Sequence, residues 1–316
     1  MKTQSICQFN FAVEFDFNEI LTNPIMDISA RIWDEERYEA FKLCYRSMRV
    51  IDDIIDERKA KARSITEFEK KKFTSIVNDW NEAIKKASTF DPFQKQFIKT
   101  KFKIPLWPWQ KFAKSMIYDL DHNGFKTFQT FLMYSEGAAV APASVFMHLC
   151  GISKDNGVYM PPKFDVERAA RPLAIFAYLV HIIRDFQKDQ LSNLNYFADD
   201  LISKNGLDRM QLRKIAEGSK IIPGFRNLME VYYNYADYYR REAREMMDNT
   251  QSCLEPRYQL SRELIYSLYG QIHESIDVFN GRFTTEELNP SPEEVQDRIN
   301  MTISSFESNN YCRISK

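Results

Sequence analysis

The sequence predicts an all-α fold: one domain of long helices around a large aromatic core. Three observations carry this. Glycine is scarce, nine in 316 residues, under half the usual share of about 7%. That disfavours glycine-punctuated architectures such as nucleotide-binding βαβ folds and propellers. The chain instead holds 24 Phe, 16 Tyr and 12 Met. Apolar residues recur at three- and four-residue steps over most of the length, and strand-like alternation is nearly absent. The length allows one large domain or two small ones. No repeat or low-complexity linker divides it, so 1–316 is expected to be a single domain. Its core should span about 20–285, with a polar tail over 286–316 that becomes disordered beyond Glu307.

The elements follow in order. Segment 34–62 reads as one helix, with Phe41, Tyr45, Met48, Asp52 and Ile55 on one stripe. Segment 66–87 is charged outside, with Phe68, Phe73, Ile76, Val77 and Trp80 as its apolar set. Helices are expected over 110–121, 124–150, 165–188, 208–219, 224–249 and 257–279. Prolines at Pro105 and Pro108, Pro161 and Pro162, and Pro290 and Pro292 punctuate them. Short loops between helices give a bundle.

Composition narrows the function. With 43 basic and 44 acidic residues the net charge is −1, so no global field draws the chain to nucleic acid or an anionic membrane. Cys7, Cys44, Cys150, Cys253 and Cys312 are scattered, as expected for free thiols in a reducing compartment. The four histidines form no HExxH. The N-terminus carries acids and lacks the apolar run of a signal peptide. Pro172 to Ile183, the longest nearly apolar stretch, is short of the roughly 20 residues that span a bilayer. A soluble cytoplasmic protein is expected.

Two stretches carry chemistry. In the first, Asp52 and Asp56 are four apart and share a helix face, about 5–6 Å apart at Cβ. That face continues through Met48, Tyr45 and Phe41, the buried stripe. Two carboxylates there repel each other and are costly to desolvate, and a cation relieves both problems. In the second, Asp185 and Asp189 extend an apolar helix through Tyr178 and His181, with Arg184 alongside. One such pair is equally well a solvated helix end. Two pairs, set across a bundle, are suited to Mg²⁺ shared with substrate phosphates.

The motifs in this order resemble the squalene/phytoene synthase family, the head-to-head prenyl diphosphate synthases, over about residues 20–285. Tyr45, Arg49, Asp52 and Asp56 match its first signature. Ile183, Arg184, Asp185 and Asp189 match its second, and Tyr196 a tyrosine downstream. Tyr134 to Ala143 resembles its Tyr-led small-residue helix. Tyr266, Tyr269 and Arg282 resemble its Tyr-rich helix closing on an arginine.

The resemblance implies an isoprenoid-synthase-like bundle around a central cavity. It implies Mg²⁺ held by Asp52, Asp56, Asp185 and Asp189, with Arg49, Arg184 and Tyr134 catalytic. Tyr45, Gly137, Ala139, His181, Tyr196, Tyr269 and Arg282 would bind substrate, a C15 or C20 prenyl diphosphate, and Ala143 would leave room for its tail. Reduction of the product would call for NADPH, for which no glycine-rich nucleotide loop is found. The sequence also departs from the family. Asn23-Pro24-Ile25-Met26 stands where a Ser-Phe pair is usual. Tyr178 and His181 replace Gln and Asn, and Leu194 and Ala198 replace Arg and Pro. These changes leave open a terpene cyclase, or prenyl transfer to a non-prenyl acceptor. A helical lipid-binding partner without activity is disfavoured by the four aspartates and two arginines. Segment 85–114, with Lys95, Lys99, Lys101, Lys103, Phe93, Phe97, Phe102, Trp107 and Trp109, could rest on a membrane surface. A solvated lysine face over a packed loop accounts for it as well. Asp199 and Asp200 are expected to cap a helix, and the tyrosines from Tyr232 to Tyr239 to serve the core or the cavity wall.

Overall fold

The computed structural model describes residues 24–61, 65–86 and 102–314, with side chains to residue 308. Pro24 fixes the backbone ahead of helix α1 (Ile25–Ala30). Helix α2 (Glu35–Lys61) starts where the Asp34 carboxylate accepts the Arg37 N–H at 3.1 Å. Acids fill its first turn and bases its last, matching the helix dipole. Its buried stripe runs Ala40, Phe41, Cys44, Met48, Ile51 and Ile55. Helix α3 (Glu67–Lys86) opens on a reciprocal cap between Thr66 and Glu69. Phe68, expected in its apolar set, is 78% exposed; Val77 carries the contact instead. Helix α4 (Trp107–Asp121) packs beneath α3 and α2. Phe102 and Trp109 are buried, whereas Lys95, Lys99, Lys101, Phe93 and Phe97 lie outside the described residues.

The expected helix over 124–150 is three pieces. Gly124 takes φ +108 and Phe125 bridges to Ala198, so helix α5 (Phe128–Ser135) starts late, capped by Thr127. A π-helical turn follows at Glu136–Val140, then helix α6 (Ala141–Gly151). Pro142 has no N–H to give the carbonyl four residues back, and that carbonyl belongs to Ala138, inside the wide turn. A short hairpin, β1 (Ser153–Asp155) and β2 (Val158–Met160), turns on Asn156-Gly157, both at positive φ.

Helix α7 (Val166–Arg184) is the axis of the molecule. Ile175, Phe176, Leu179, Val180 and Ile183 are fully buried, and α5, α6, α11 and α12 surround it. It breaks at Asp185 (φ −90, ψ 6) and resumes as α8 (Phe186–Leu191), so the segment read as one helix over 165–188 has a joint at the aspartate. Helices α9 (Asp199–Lys204) and α10 (Arg209–Ala216) cover one end. The long α11 (Pro223–Thr250) and α12 (Pro256–Ser275) close the bundle. After α13 (Thr285–Leu288) the segment expected as a polar tail forms helix α14 (Pro292–Ile314) on α12. Its stripe is narrow: Ile299 and Phe306 are buried, Val295 and Ile303 partly so. Eleven residues per three turns keep that stripe facing one way, and its charged flanks mask it in the sequence. No helix among the described residues is long and apolar enough to cross a membrane.

Gly137, in the π turn, presses against α4. A Cβ there would run into the Lys111 carbonyl and the Ser115 hydroxyl. Alanine favours a helix over glycine by about 1 kcal/mol, but a clash with backbone outweighs that. Gly137→Ala should destabilise the fold by about 1–3 kcal/mol. Thermal denaturation checks this; an unchanged midpoint would show that the two helices can part freely.

Candidate active site

A cavity of about 190 Å³ lies between α2, α4, α6, α7 and α12. Small residues make it. Ala138, Ala139 and Ala143 face Ala170, Ala174 and Ala177 of α7, and Met48, Phe112, Phe146 and Ile265 fill in the wall. Ala139 and Ala143 stand where the sequence suggested. Gly137 does not line the cavity, because it is spent on the contact with α4. The alanine face of α7 went unread, although its three- and four-residue spacing was visible.

At one end the wall turns polar, with Tyr45, Arg49, Asp52, Tyr178, His181 and Tyr269. Asp52 and Asp56 continue the α2 stripe to this end. Arg49 donates to Asp52 at 2.7 Å and also bonds Asp53, which faces out. Burial pushes Asp52 up to about 6, against the pull of Arg49. Asp56 is pushed up to about 8 by burial, then by the charges of Asp52 and Asp119, with Asp189 adding to them. Among the described residues no donor bonds the Asp56 carboxylate.

The second pair is built differently. Burial alone would raise Asp185. Instead the Arg184 guanidinium grips it at 2.6 and 3.1 Å, and His181 Nε2 lies 3.1 Å from it. These partners hold Asp185 well below the ordinary carboxylate range. Arg184 also donates to His181 Nδ1 at 3.1 Å. The ring is therefore neutral, protonated on Nε2 toward the carboxylate. Burial, with Arg184 nearby, lowers its pKa accordingly. Asp189, a turn further on, lacks such partners and is pushed up to about 7 by burial and by Asp185. Of the four aspartates only Asp52 lines the cavity; Asp56 lies behind it, close enough to Asp189 to feel its charge.

One residue here was not foreseen. Asp119 on α4 is 5% exposed, pairs with Lys59 at 2.6 Å and accepts the Tyr134 hydroxyl at 3.1 Å. Nothing in its sequence neighbourhood marks it as more than a helix-end acid; only tertiary packing reveals it. Tyr134 is buried and Tyr178 and Tyr196 are partly so; the three phenols lie near Asp56 and Asp119, and loss of hydration raises all three well above the usual phenol value. Tyr178 stacks on Phe131 with ring centroids 5.5 Å apart. Tyr45 and Tyr269 lie near each other, with Tyr269 also beside Arg184.

Other expected residues fall elsewhere. Arg282 is exposed and does not line the cavity; its backbone N–H donates to Glu287. Asp199 pairs with Arg209, and Asp200 caps the start of α5 through the Phe128 N–H. Tyr232 is a core residue whose hydroxyl accepts the Ala198 N–H. Leu194 puts a side chain without donors near Asp189 and offers only its backbone N–H to the Asp189 carbonyl, at 2.8 Å. Among the described residues no three His, Cys, Asp or Glu side chains converge as a ready-made metal cage. The donors at this end are carboxylate oxygens, the set that suits Mg²⁺ when substrate phosphates complete its shell.

A comparison with curated protein sequences finds no match. The fold is shared with solved structures, among them these two. A dehydrosqualene synthase in complex with ligand superposes with a TM-score of 0.66 at 14% identity, covering 92% of this chain and 95% of that one. The squalene synthase HpnC from Alicyclobacillus acidocaldarius gives 0.60 at 13% identity, covering 80% and 86%. Residues 28–291 match the family model described as squalene/phytoene synthase. With most of its length inside that model, the chain belongs to the squalene/phytoene synthase family.

Proposed function

We propose that this prenyltransferase joins two allylic prenyl diphosphates head to head after metal-assisted loss of diphosphate, giving a squalene-, dehydrosqualene- or phytoene-type polyene. The observation that supports it is Asp52 at the polar end of an apolar cavity with Asp56 behind it within reach of the Asp189 charge, all three raised first by burial. Such a cluster suits a divalent cation, with Asp52 and Asp56 on one side and Asp185 and Asp189 on the other. Bound there, Mg²⁺ would neutralise charge developing on the departing diphosphate.

The chain's own groups do the rest. Arg49 is partly exposed at the mouth and can turn from Asp53 to a phosphate oxygen. Arg184 is fixed by Asp185 and His181 and presents its remaining N–H groups with little loss of freedom. The alanine faces and Phe112 and Phe146 keep water from an allylic cation, and aromatic faces stabilise it. Tyr134 keeps its proton, so it acts as a relay: its oxygen takes the proton lost from the substrate while its own moves to Asp119. The double bond of the second substrate has by then attacked the allylic cation and left a tertiary cation, and the electron pair of the broken C–H bond closes the cyclopropane ring on it.

Incubation with C10, C15 and C20 diphosphates, with Mg²⁺ or EDTA and with or without NADPH, tests the reading. Release of diphosphate should require the metal. Asp52→Asn and Asp185→Asn should each cut turnover by roughly a hundredfold or more. Equal release with EDTA, or none at any chain length, overturns it.

The two substitutions should part in stability. Asp52→Asn removes a repelled charge, so its thermal midpoint without metal should hold or rise. Asp185→Asn strands the Arg184 guanidinium and should lower it.

A pH series reads the same electrostatics. The Asp56 carboxyl is raised from an unfolded value near 3.9 to about 8. Its stabilising contribution is whole below the lower value, falls as pH rises between the two and is gone above the upper. Metal-free Asp56→Asn should therefore gain on the wild type from about pH 4 to pH 8 and hold a constant lead beyond. A lead that is flat with pH would show that Asp56 is solvated.

His181 separates positioning from packing. His181→Asn, which can still bond Asp185 or Arg184, should keep appreciable activity. His181→Ala should lose most of it with a nearly unchanged melt. Equal activity in both variants would confine His181 to packing.

A further inference from the structure

The cavity has a second charged wall away from its carboxylates. Arg262 lines it from α12, only 2% exposed. It lies seven residues before Tyr269, two helical turns or about 10 Å along the axis from the polar end. Its neighbours on the wall are apolar: Met147, Met247, Ala169 and Ala170. Ala169 and Ala170 belong to the first turns of α7, while Asp185 stands at that helix's other end.

A buried guanidinium needs an anion, and among the described residues no carboxylate bonds this one; Glu263 and Asp248 act on it only at a distance. Its Nη1 donates to the Thr250 hydroxyl at 2.6 Å and its Nη2 to the Met247 carbonyl at 3.2 Å, both at the C-terminal end of α11. The Nε–H is buried without a partner. The nearest acid along the chain, Glu263, is held by both Nη atoms of Arg244 at 2.7 and 2.8 Å. The adjacent Cys150 thiol is pushed up by burial and stays neutral. The end of α11 supplies one hydroxyl and one carbonyl acceptor and a partial negative charge. It leaves one donor and most of the positive charge unanswered in an apolar wall, which is costly. A wall meant only for hydrocarbon would be better built with Leu or Met there.

We propose that Arg262 determines specificity at this wall by selecting a chain that carries a carboxylate at the end remote from its diphosphate. The diphosphate half of that ligand rests on the function proposed above; the carboxylate half rests on Arg262. The carboxylate would accept from the Nη N–H groups not given to Thr250 and Met247, neutralise the cation and keep the chain extended between the two charged walls.

Calorimetry on the full chain with two probes tests this. One is a thiolo analogue of an allylic C15 diphosphate, which does not ionise. The other is the same compound with a carboxylate in place of its terminal methyl. The wild type should bind the carboxylate form at least roughly tenfold tighter, and Arg262→Met should reverse that order. Arg262→Gln, which keeps a donor for Thr250, should also lose the preference and covers the case in which the Met variant does not fold. Equal or weaker binding of the carboxylate form by the wild type overturns the proposal and leaves the diphosphate reading intact. A preference that survives both substitutions also overturns it, since another cation then reads the acid. If neither diphosphate binds, the diphosphate reading fails by itself. Palmitate against methyl palmitate, in wild type and both variants, then decides whether Arg262 holds a carboxylate: an Arg262-dependent preference for the acid supports the proposal, and none overturns it.

Discussion

Repulsion between carboxylates at the polar end of the cavity is the constraint on which the rest of this structure depends. Asp52, Asp56, Asp119 and Asp189 crowd a region where Lys59, Arg49, Lys188 and Arg184 bring the positive charge. A fold can hold such a cluster only if its backbone is rigid. Helix α2 is 27 residues long with an apolar stripe, and α7 is buried along nearly its whole length. Both supply that rigidity through packing. The two acidic motifs then receive unlike surroundings. Asp185 is saturated by Arg184 and His181, whereas Asp56 and Asp189 are left to find a proton or a cation.

Much of this was legible in the sequence because it is written at helical spacing. The stripe through Phe41, Met48 and Ile55 and the two i, i+4 aspartate pairs need only the period of a helix to be read. Where the reading failed, the cause was a local exception to that period or a contact between distant segments. The helix expected over 124–150 is interrupted by a glycine at positive φ and by a π turn next to Pro142. The joint at Asp185 leaves no mark in residue type. The stripe of α14 is too narrow and too heavily flanked by charge to stand out. Gly137 looked like part of the cavity because it lies among small residues, yet it packs outward on α4.

The site was legible to a similar depth. Residues whose place follows from their own helix, such as Asp52 and His181, do stand on the cavity wall. Asp119 was not foreseen, since its importance comes from Lys59 and Tyr134, 60 and 15 positions away. Arg262 was hidden for the same reason: only the packed bundle shows that its neighbours are methionines and alanines and that Glu263 is engaged with Arg244. Long-range pairing is what a linear pattern cannot display.

Helix α14 has a consequence for how this enzyme can change. It holds the outer face of α12, through Arg298 to Glu274 and Ser267 and through Thr302 to Ser267 at 2.7 Å. The inner face of the same helix presents Arg262, Ile265 and Tyr269 to the cavity. The outermost layer of the protein thus works as a splint on the helix that spans the binding space. Substitutions on that splint, far from any reacting atom, can tilt or loosen α12 and alter the spacing between its two charged walls. Selectivity for chain length can then drift in evolution through surface residues that never meet the substrate.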